Sequence, residues 1–137
     1  MRDDPESLAR EAEMEMINEL IDRYIAAWNE TDALKRRDLI AKTWTEDGVY
    51  VDPRRRGDGH EQLSTMIQGV QEHFPGYRFR RAGDADAHND CVRFRWEAGG
   101  MDGAPLFFAG TDFGVIDTDG RFRSVTGFTD AAPGLKR

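Results

Sequence analysis

The sequence is short of cysteine and lacks long apolar runs. Cys91 is the one cysteine in 137 residues, so no internal disulfide bond can form. The first residues, Met-Arg-Asp-Asp-Pro, lack the apolar core of a secretion signal, and no apolar run approaches the roughly 20 residues of a membrane-spanning helix. These shortages exclude a disulfide scaffold and a membrane protein, and they predict a location in the cytoplasm.

Positive charge is also scarce, since the formal net charge is -7. A surface for nucleic acid or anionic lipid would need a basic surplus. The three histidines, His60, His73 and His88, have no metal-ligand spacing, and the chain contains neither a glycine-rich phosphate loop nor a Gly-x-Ser-x-Gly motif. We therefore expect no nucleic-acid or membrane partner, no metal and no cofactor.

The clearest pattern is that of a long amphipathic helix. Apolar residues recur at three- and four-residue steps from Ile17 to Trp28, with charged residues on the other face. Asp4 and Pro5 supply a cap residue and a proline suited to the first helical turn. The spacing predicts one helix from there to about Glu30.

Two shorter helices are predicted after it. The first begins at residues 31–32, has residues 35–37 as its solvent face, and is broken at residues 46–48. Its apolar side consists of Leu34, Leu39, Ile40 and Trp44. The second covers residues 60–74, where an apolar stripe ends at a Pro-Gly pair.

Strand patterns begin between these two helices. Alternation over residues 49–52 puts Tyr50 and Asp52 on the same side, and Pro53 ends the strand because it cannot donate to a ladder. Residues 54–59 are then predicted to form a charged, glycine-rich loop.

From residue 77 onward the apolar period is two, which is typical of strands. Turn signals divide this part of the chain at Gly83-Asp84, Asn89-Asp90, Gly99-Gly100 and Asp119-Gly120. Residues 106–117 are apolar on both sides, which predicts a central strand covered on both faces. Helices first and strands afterwards predict one α+β domain over residues 1–137, its core at about 17–130. In such a domain the helices pack against one side of a curved antiparallel sheet, which can leave a cavity between helices and sheet.

Two aspartates lie in apolar surroundings, Asp52 at the end of its strand and Asp112 inside the apolar strand. Such a carboxyl group either finds hydrogen-bond partners or keeps its proton, because desolvation penalises the charged form. Structural alternatives stay open. Asp52 could cap a turn or order the arginine loop, and Asp112 could pair with a buried arginine.

Three strings of residues resemble the nuclear transport factor 2-like superfamily, and within it the SnoaL-like domains. They are Arg23-Tyr24-Ile25, Tyr50-Val51-Asp52-Pro53, and the stretch from Asp112 to Asp119-Gly120-Arg121. The resemblance covers residues 17–130. It implies a cone-like fold, in which one long and two shorter helices pack on a strongly curved, mixed but mostly antiparallel sheet and enclose a pocket. It also implies a homodimer formed through the outer face of the sheet, but it identifies no activity, because this fold hosts enzymes, binders and adaptors.

The same strings are similar to the ketosteroid isomerases residue by residue. That resemblance implies that Asp52 is a general base and that Tyr24 and a protonated Asp112 donate hydrogen bonds to an oxyanion. These residue types suit proton transfer next to a carbonyl, which needs a base and two donors. We expect the pocket wall to contain Trp28, Tyr50, Phe94, Trp96 and Phe108.

Two functions follow from these expectations. The first is a cofactor-free isomerase or polyketide-cyclase-like enzyme that uses an aspartate to move a proton in a small apolar carbonyl compound. The second is a non-catalytic module that binds a small apolar molecule or a partner. A pure dimerisation scaffold would require side chains to fill the space between helices and sheet.

Overall fold

The computed structural model describes residues 4–100 and 106–130, without the side chains of residues 106 and 107. Three helices and seven strands follow in the order α1 (Pro5–Asn29), α2 (Ala33–Thr43), β1 (Trp44–Val51), β2 (Arg56–Asp58), α3 (Gly59–His73), β3 (Tyr77–Arg81), β4 (Asp86–His88), β5 (Cys91–Gly100), β6 (Leu106–Ile116) and β7 (Phe122–Thr129).

The strands form one sheet in the order β2-β1-β7-β6-β5-β3, and β4 pairs with β5. β1 and β7 run parallel, whereas the other described pairs are antiparallel. The three helices pack on one face of this curved sheet. The predicted α+β class and the mixed, mostly antiparallel sheet are therefore confirmed.

Helix α1 begins and ends where its sequence signals predict. The Asp4 side chain accepts a hydrogen bond from the backbone N–H of Ser7 at 2.8 Å, Pro5 occupies the first turn, and Glu30 is the C-terminal cap residue. The buried stripe is confined to the second half of the helix and contains Ile17, Leu20, Ile21, Tyr24, Ala27 and Trp28. No helix of the described ranges is long and apolar enough to cross a membrane.

The predicted faces of α2 are wrong at two residues. Arg36 is buried, with 1% of its surface exposed, whereas Leu34 is 79% exposed. The buried residues of α2 are Arg36, Ile40 and Thr43, whose spacing of four and three forms one stripe against α1 and α3. Burial is tolerated because four oxygen atoms accept hydrogen bonds from the guanidinium, on Ser64, Gln68, Gln71 and the Glu30 backbone.

Three segments that were predicted to be turns or loops belong, wholly or in part, to strands. Residues 46–48 lie inside β1 at a register shift, because α2 already ends at Thr43. Part of the predicted loop at 54–59 forms β2, which pairs with residues 49–51 of β1. Gly99 and Gly100 belong to β5, and the connection after them, at 101–105, lies outside the described residues.

Strand β6 is interior in the sheet, as predicted, but it is not covered on both faces in the described chain. Phe113 on β6 and Phe128 on β7 are 40% and 59% exposed. Both lie on the outer face, opposite the helices, because Phe113 pairs with Thr126 and Phe128 pairs with Thr111. The outer face of the sheet therefore carries an uncovered aromatic pair.

Candidate active site in the cone

A cavity of about 530 Å³ lies between the helices and the inner face of the sheet. Much of its wall is aromatic or aliphatic, and this apolar wall includes Trp28, Val70, Phe74, Phe79, Trp96 and Phe108. Its polar side chains include two tyrosines and two aspartates, Tyr24, Tyr50, Asp52 and Asp112. A large apolar cavity with a few converging polar groups has the composition of a small-molecule site.

Asp112 lies at the inner end of this cavity and is 3% exposed. The Tyr24 hydroxyl donates a hydrogen bond to its Oδ2 at 2.5 Å, and the Trp96 Nε1–H donates to its Oδ1 at 2.9 Å. Burial raises the pKa of the Asp112 carboxyl to about 7, and the charge of Asp52 adds to the rise, while the two hydrogen bonds oppose it. Both protonation states are therefore populated at neutral pH.

Tyr24 reaches Asp112 from the middle of α1 and is itself 1% exposed. Its ring packs against Trp44, Phe94 and Phe122, with ring centroids 5.3, 5.4 and 5.7 Å away. Burial, and after it the charge of Asp112, raises the pKa of the Tyr24 hydroxyl well above its usual value. Tyr24 therefore stays protonated and acts as a donor.

Trp96 reaches Asp112 because the facing strand has no side chain at one position. Trp96 on β5 pairs with Gly110 on β6, and a Cβ at Gly110 would lie 2.5 Å from the indole ring. The indole can lie across β6 only above a glycine. Its N–H then points along the strand to Asp112.

Asp52 lies nearer the mouth and has different partners. Its Oδ1 accepts the backbone N–H groups of Arg54 and Arg55, both at 2.8 Å, and its Oδ2 accepts the Tyr50 hydroxyl at 2.8 Å. The Arg55 guanidinium lies 3.8 Å from Oδ2. Asp52 therefore orders the turn after β1, the structural alternative that its sequence position left open, and it also lines the cavity.

Gly127 separates the two acidic groups and was missed by the sequence analysis. It pairs with Asp112 in the sheet, and a Cβ there would lie 2.6 Å from the Tyr50 hydroxyl and 2.9 Å from Asp112 Oδ1. The only signal in the sequence is a lone glycine in a strand pattern, which indicates a close approach without naming the partner.

Seven of the eight predicted site residues line the cavity, and Phe94 is the exception. Phe94 is on the inner face, paired with Asp112, but it is 2% exposed and lies behind the Tyr24 ring. Phe94 therefore does not line the cavity in this structure, because the Tyr24 side chain of α1 packs over it. In the described ranges, no group of three or more His, Cys, Asp or Glu residues could hold a metal ion, and the expected absence of a cofactor stays a prediction.

Solved structures share this architecture. A candidate isomerase of the SnoaL-like family from Agrobacterium tumefaciens is 38% identical and matches 86% of this chain and 100% of its own, with a TM-score of 0.81. A candidate SnoaL-like polyketide cyclase from Jannaschia sp. CCS1 is 19% identical over 85% of this chain and 87% of its own, with a TM-score of 0.69. At that identity the second likeness concerns the fold alone.

A curated sequence matches one segment of the chain. The UvrABC system protein C of Saccharopolyspora erythraea is 31% identical over 85 residues, which are 62% of this chain. The match spans only 12% of that protein's length, so nothing about its activity carries over. The sequence profile of the SnoaL-like domain, by contrast, matches residues 21–125. The chain therefore belongs to the SnoaL-like domain family.

Proposed function

We propose that this protein binds a small apolar carbonyl compound in the cavity and moves a proton next to the carbonyl, without a cofactor, with Asp112 as the proton-exchanging group. The observation that carries this proposal is the buried Asp112 carboxyl, whose pKa is about 7, in the wall of an apolar cavity. A general base or acid is most effective when its pKa lies near the working pH.

The base role moves from Asp52 to Asp112 in this proposal. The Asp52 oxygens already accept three hydrogen bonds, and two of these come from the backbone of the turn that Asp52 orders. On Asp52 only Oδ2 keeps a free lone pair for a proton, because both lone pairs of Oδ1 accept backbone N–H groups. Asp112 accepts one side-chain hydrogen bond on each oxygen, so each keeps a free lone pair for a proton.

The Tyr24 and Tyr50 hydroxyls are the candidate donors for such a reaction, and Tyr50, which donates to Asp52 in this structure, would have to turn from Asp52 to act as one. Removal of a proton from the carbon next to a carbonyl leaves negative charge on the carbonyl oxygen, and fixed donors stabilise that charge. The pKa values of both Tyr24 and Tyr50 are raised, chiefly by burial, so both hydroxyls keep their protons. Once Asp112 has taken the proton, Tyr24 no longer needs to donate to a carboxylate and can turn toward the oxyanion.

The test is hydrogen–deuterium exchange at carbon. The protein is incubated in D2O with 1-indanone and 1-tetralone, and NMR follows the loss of the signal of the protons next to the carbonyl. We expect faster exchange with the protein, and a loss of at least about 100-fold in Asp112→Asn. Asp38→Asn, which removes an exposed carboxylate of α2, is the control and should match the parent chain.

Quenching of Trp28 and Trp96 fluorescence by the ketones reports whether the Asp112→Asn variant still binds. If exchange is no faster with the parent chain than in buffer, or if it is unchanged in an Asp112→Asn variant that binds, the catalytic proposal is wrong. Binding without exchange would leave the second candidate, a non-catalytic binding module. That candidate is favoured by one observation, since Tyr24, Asp112 and Trp96 satisfy one another without any ligand.

We further propose a homodimer formed through the outer face of the sheet. Phe113 and Phe128 are both exposed there on neighbouring strands, and exposed arginines on the same face are paired with acidic residues, including Arg93 with Asp86 and Arg95 with Asp130. An apolar centre with a charged rim is typical of interfaces. Phe128→Lys should shift the mass measured by light scattering from dimer to monomer, whereas Leu34→Lys on exposed α2 should not. A parent chain that is monomeric would overturn this proposal.

A further inference from the structure

The turn after β1 places consecutive arginines at the mouth of the cavity. Arg54 and Arg55 line the cavity, and they also line an adjoining, more open groove along α3. Val70 of α3 also lines both the cavity and the groove. A ligand that fills the cavity would therefore leave through a passage bordered by two guanidinium groups.

One of these cations is uncompensated. Arg56 pairs with Asp58 at 3.0 Å, and Arg55 lies 3.8 Å from Asp52. The Arg54 side chain is exposed and makes no ion pair or hydrogen bond with the residues that the structure describes. Its backbone N–H is held by Asp52, so the turn is fixed while the guanidinium is free to bind.

None of the described acidic groups near Arg54 forms an ion pair with it, and this includes Glu61, which lines the same groove. Asp52 is engaged by the backbone of the turn and by Tyr50. Asp130, which also lines the mouth, pairs with Arg95 at 2.9 Å on the side of the sheet away from the helices. The mouth therefore holds a free positive charge next to an otherwise apolar cavity.

We propose that the ligand is an amphipathic monoanion, an aromatic or polycyclic carboxylic acid whose carboxylate pairs with Arg54 at the mouth while its rings lie against Phe74, Phe79 and Phe108. This inference rests on the proposed function, since it assumes that the cavity binds an apolar molecule. The planar guanidinium matches a carboxylate through two parallel hydrogen bonds. A carboxylate carries a single negative charge, which matches the single unpaired guanidinium of Arg54.

The experiment compares ligands that differ only in charge. Benzoate, 2-naphthoate and 2-anthroate are titrated against their neutral amides, with quenching of Trp28 and Trp96 as the signal. An exposed ion pair contributes up to about 1 kcal/mol, so the carboxylates should bind about fivefold more tightly than the amides. Arg54→Gln should remove this preference and leave amide binding unchanged.

Arg37→Gln is the matched control, because it removes an equal charge from an exposed position of α2 that lines neither the cavity nor the groove. It should leave the preference intact. Equal binding of acids and amides by the parent chain would overturn this inference while the apolar cavity stands. A preference that survives Arg54→Gln, or that is lost equally in Arg37→Gln, would overturn it too. If neither series binds, the proposed function fails together with it.

Discussion

The inner end and the mouth of the cavity each contain an aspartate that accepts a hydrogen bond from a tyrosine hydroxyl. At the inner end the remaining partner of Asp112 is an indole N–H, and the surroundings are apolar. At the mouth Asp52 accepts two backbone N–H groups beside an arginine. The same Tyr–Asp contact therefore occurs at a buried carboxyl group whose pKa is raised by desolvation and in a turn held by backbone hydrogen bonds.

The largest expected difference between the two ends is in the pH dependence of stability. Because the folded-state pKa of Asp112 is raised, from 3.8 to about 7, the folded protein holds this proton where the unfolded chain has lost it. The stabilising effect is complete below about pH 4 and is lost as the pH rises through about 7, by about 4 kcal/mol in all.

Urea unfolding at several pH values checks this. The difference between the free energy of unfolding of the parent chain and that of Asp112→Asn should decrease as the pH rises from about 4 to about 7. The free energy of unfolding of Asp52→Asn should still decrease between about pH 4 and 7, because Asp112 is present in that variant. A pH dependence that is the same in the parent and in Asp112→Asn would mean that Asp112 does not titrate in this range.

The second comparison removes the tyrosine hydroxyl at each end. In Tyr24→Phe the buried Asp112 keeps one of its two donors, so we expect a loss of up to about 3 kcal/mol above pH 8, and a smaller loss at pH 5, where the carboxyl is protonated. In Tyr50→Phe the carboxylate keeps its two backbone donors, and about 1 kcal/mol should be lost at both pH values. Equal, pH-independent losses would contradict the difference between the two ends.

A methyl group at Gly127 tests whether the two ends depend on the gap between them. Its Cβ would come within 3 Å of both the Tyr50 hydroxyl and Asp112 Oδ1. We expect Gly127→Ala to lose about 1–2 kcal/mol and to shift the carboxyl carbon resonance of Asp112 in NMR spectra. Gly69→Ala on α3 is the control, because a Cβ there would meet open space, and it should be neutral or stabilising. Gly76 is unsuitable as a control because its φ is positive. If Gly127→Ala changes neither the free energy of unfolding nor the Asp112 resonance, the gap at Gly127 has no role.

The smallest effect on stability is expected at the mouth. Arg54→Gln removes no contact of the described chain, so the free energy of unfolding should change by less than about 0.5 kcal/mol. Chemical denaturation, in parallel with Arg37→Gln, measures it. A larger loss would mean that the Arg54 guanidinium is part of the fold and not free to bind a ligand.

Much of the fold is predictable because its signals are local. The cap and proline of α1, its apolar stripe, and the turn residues of the hairpins each lie within a few positions of the element they define. Arg36 could not be placed, because its burial depends on acceptors that α3 brings from about 30 residues away. A charged residue in a basic run is otherwise expected in solvent.

The site was predictable in its residue types but not in its connections. An aspartate in an apolar strand already indicates an altered pKa. Its partners come from α1, 88 residues earlier, and from the neighbouring strand above Gly110, and no local pattern joins them. The reassignment of the base from Asp52 to Asp112 depends on those contacts.

The parallel pairing of β1 with β7 has a consequence for biosynthesis. β7 is the last strand described, and it lies between β1, which leads to Asp52, and β6, which carries Asp112. A nascent chain that has not yet released β7 from the ribosome can form its hairpins but cannot bring the two carboxyl groups to one cavity. The cavity that contains both carboxyl groups therefore forms only after β7 has been synthesised and has paired with both of its neighbouring strands.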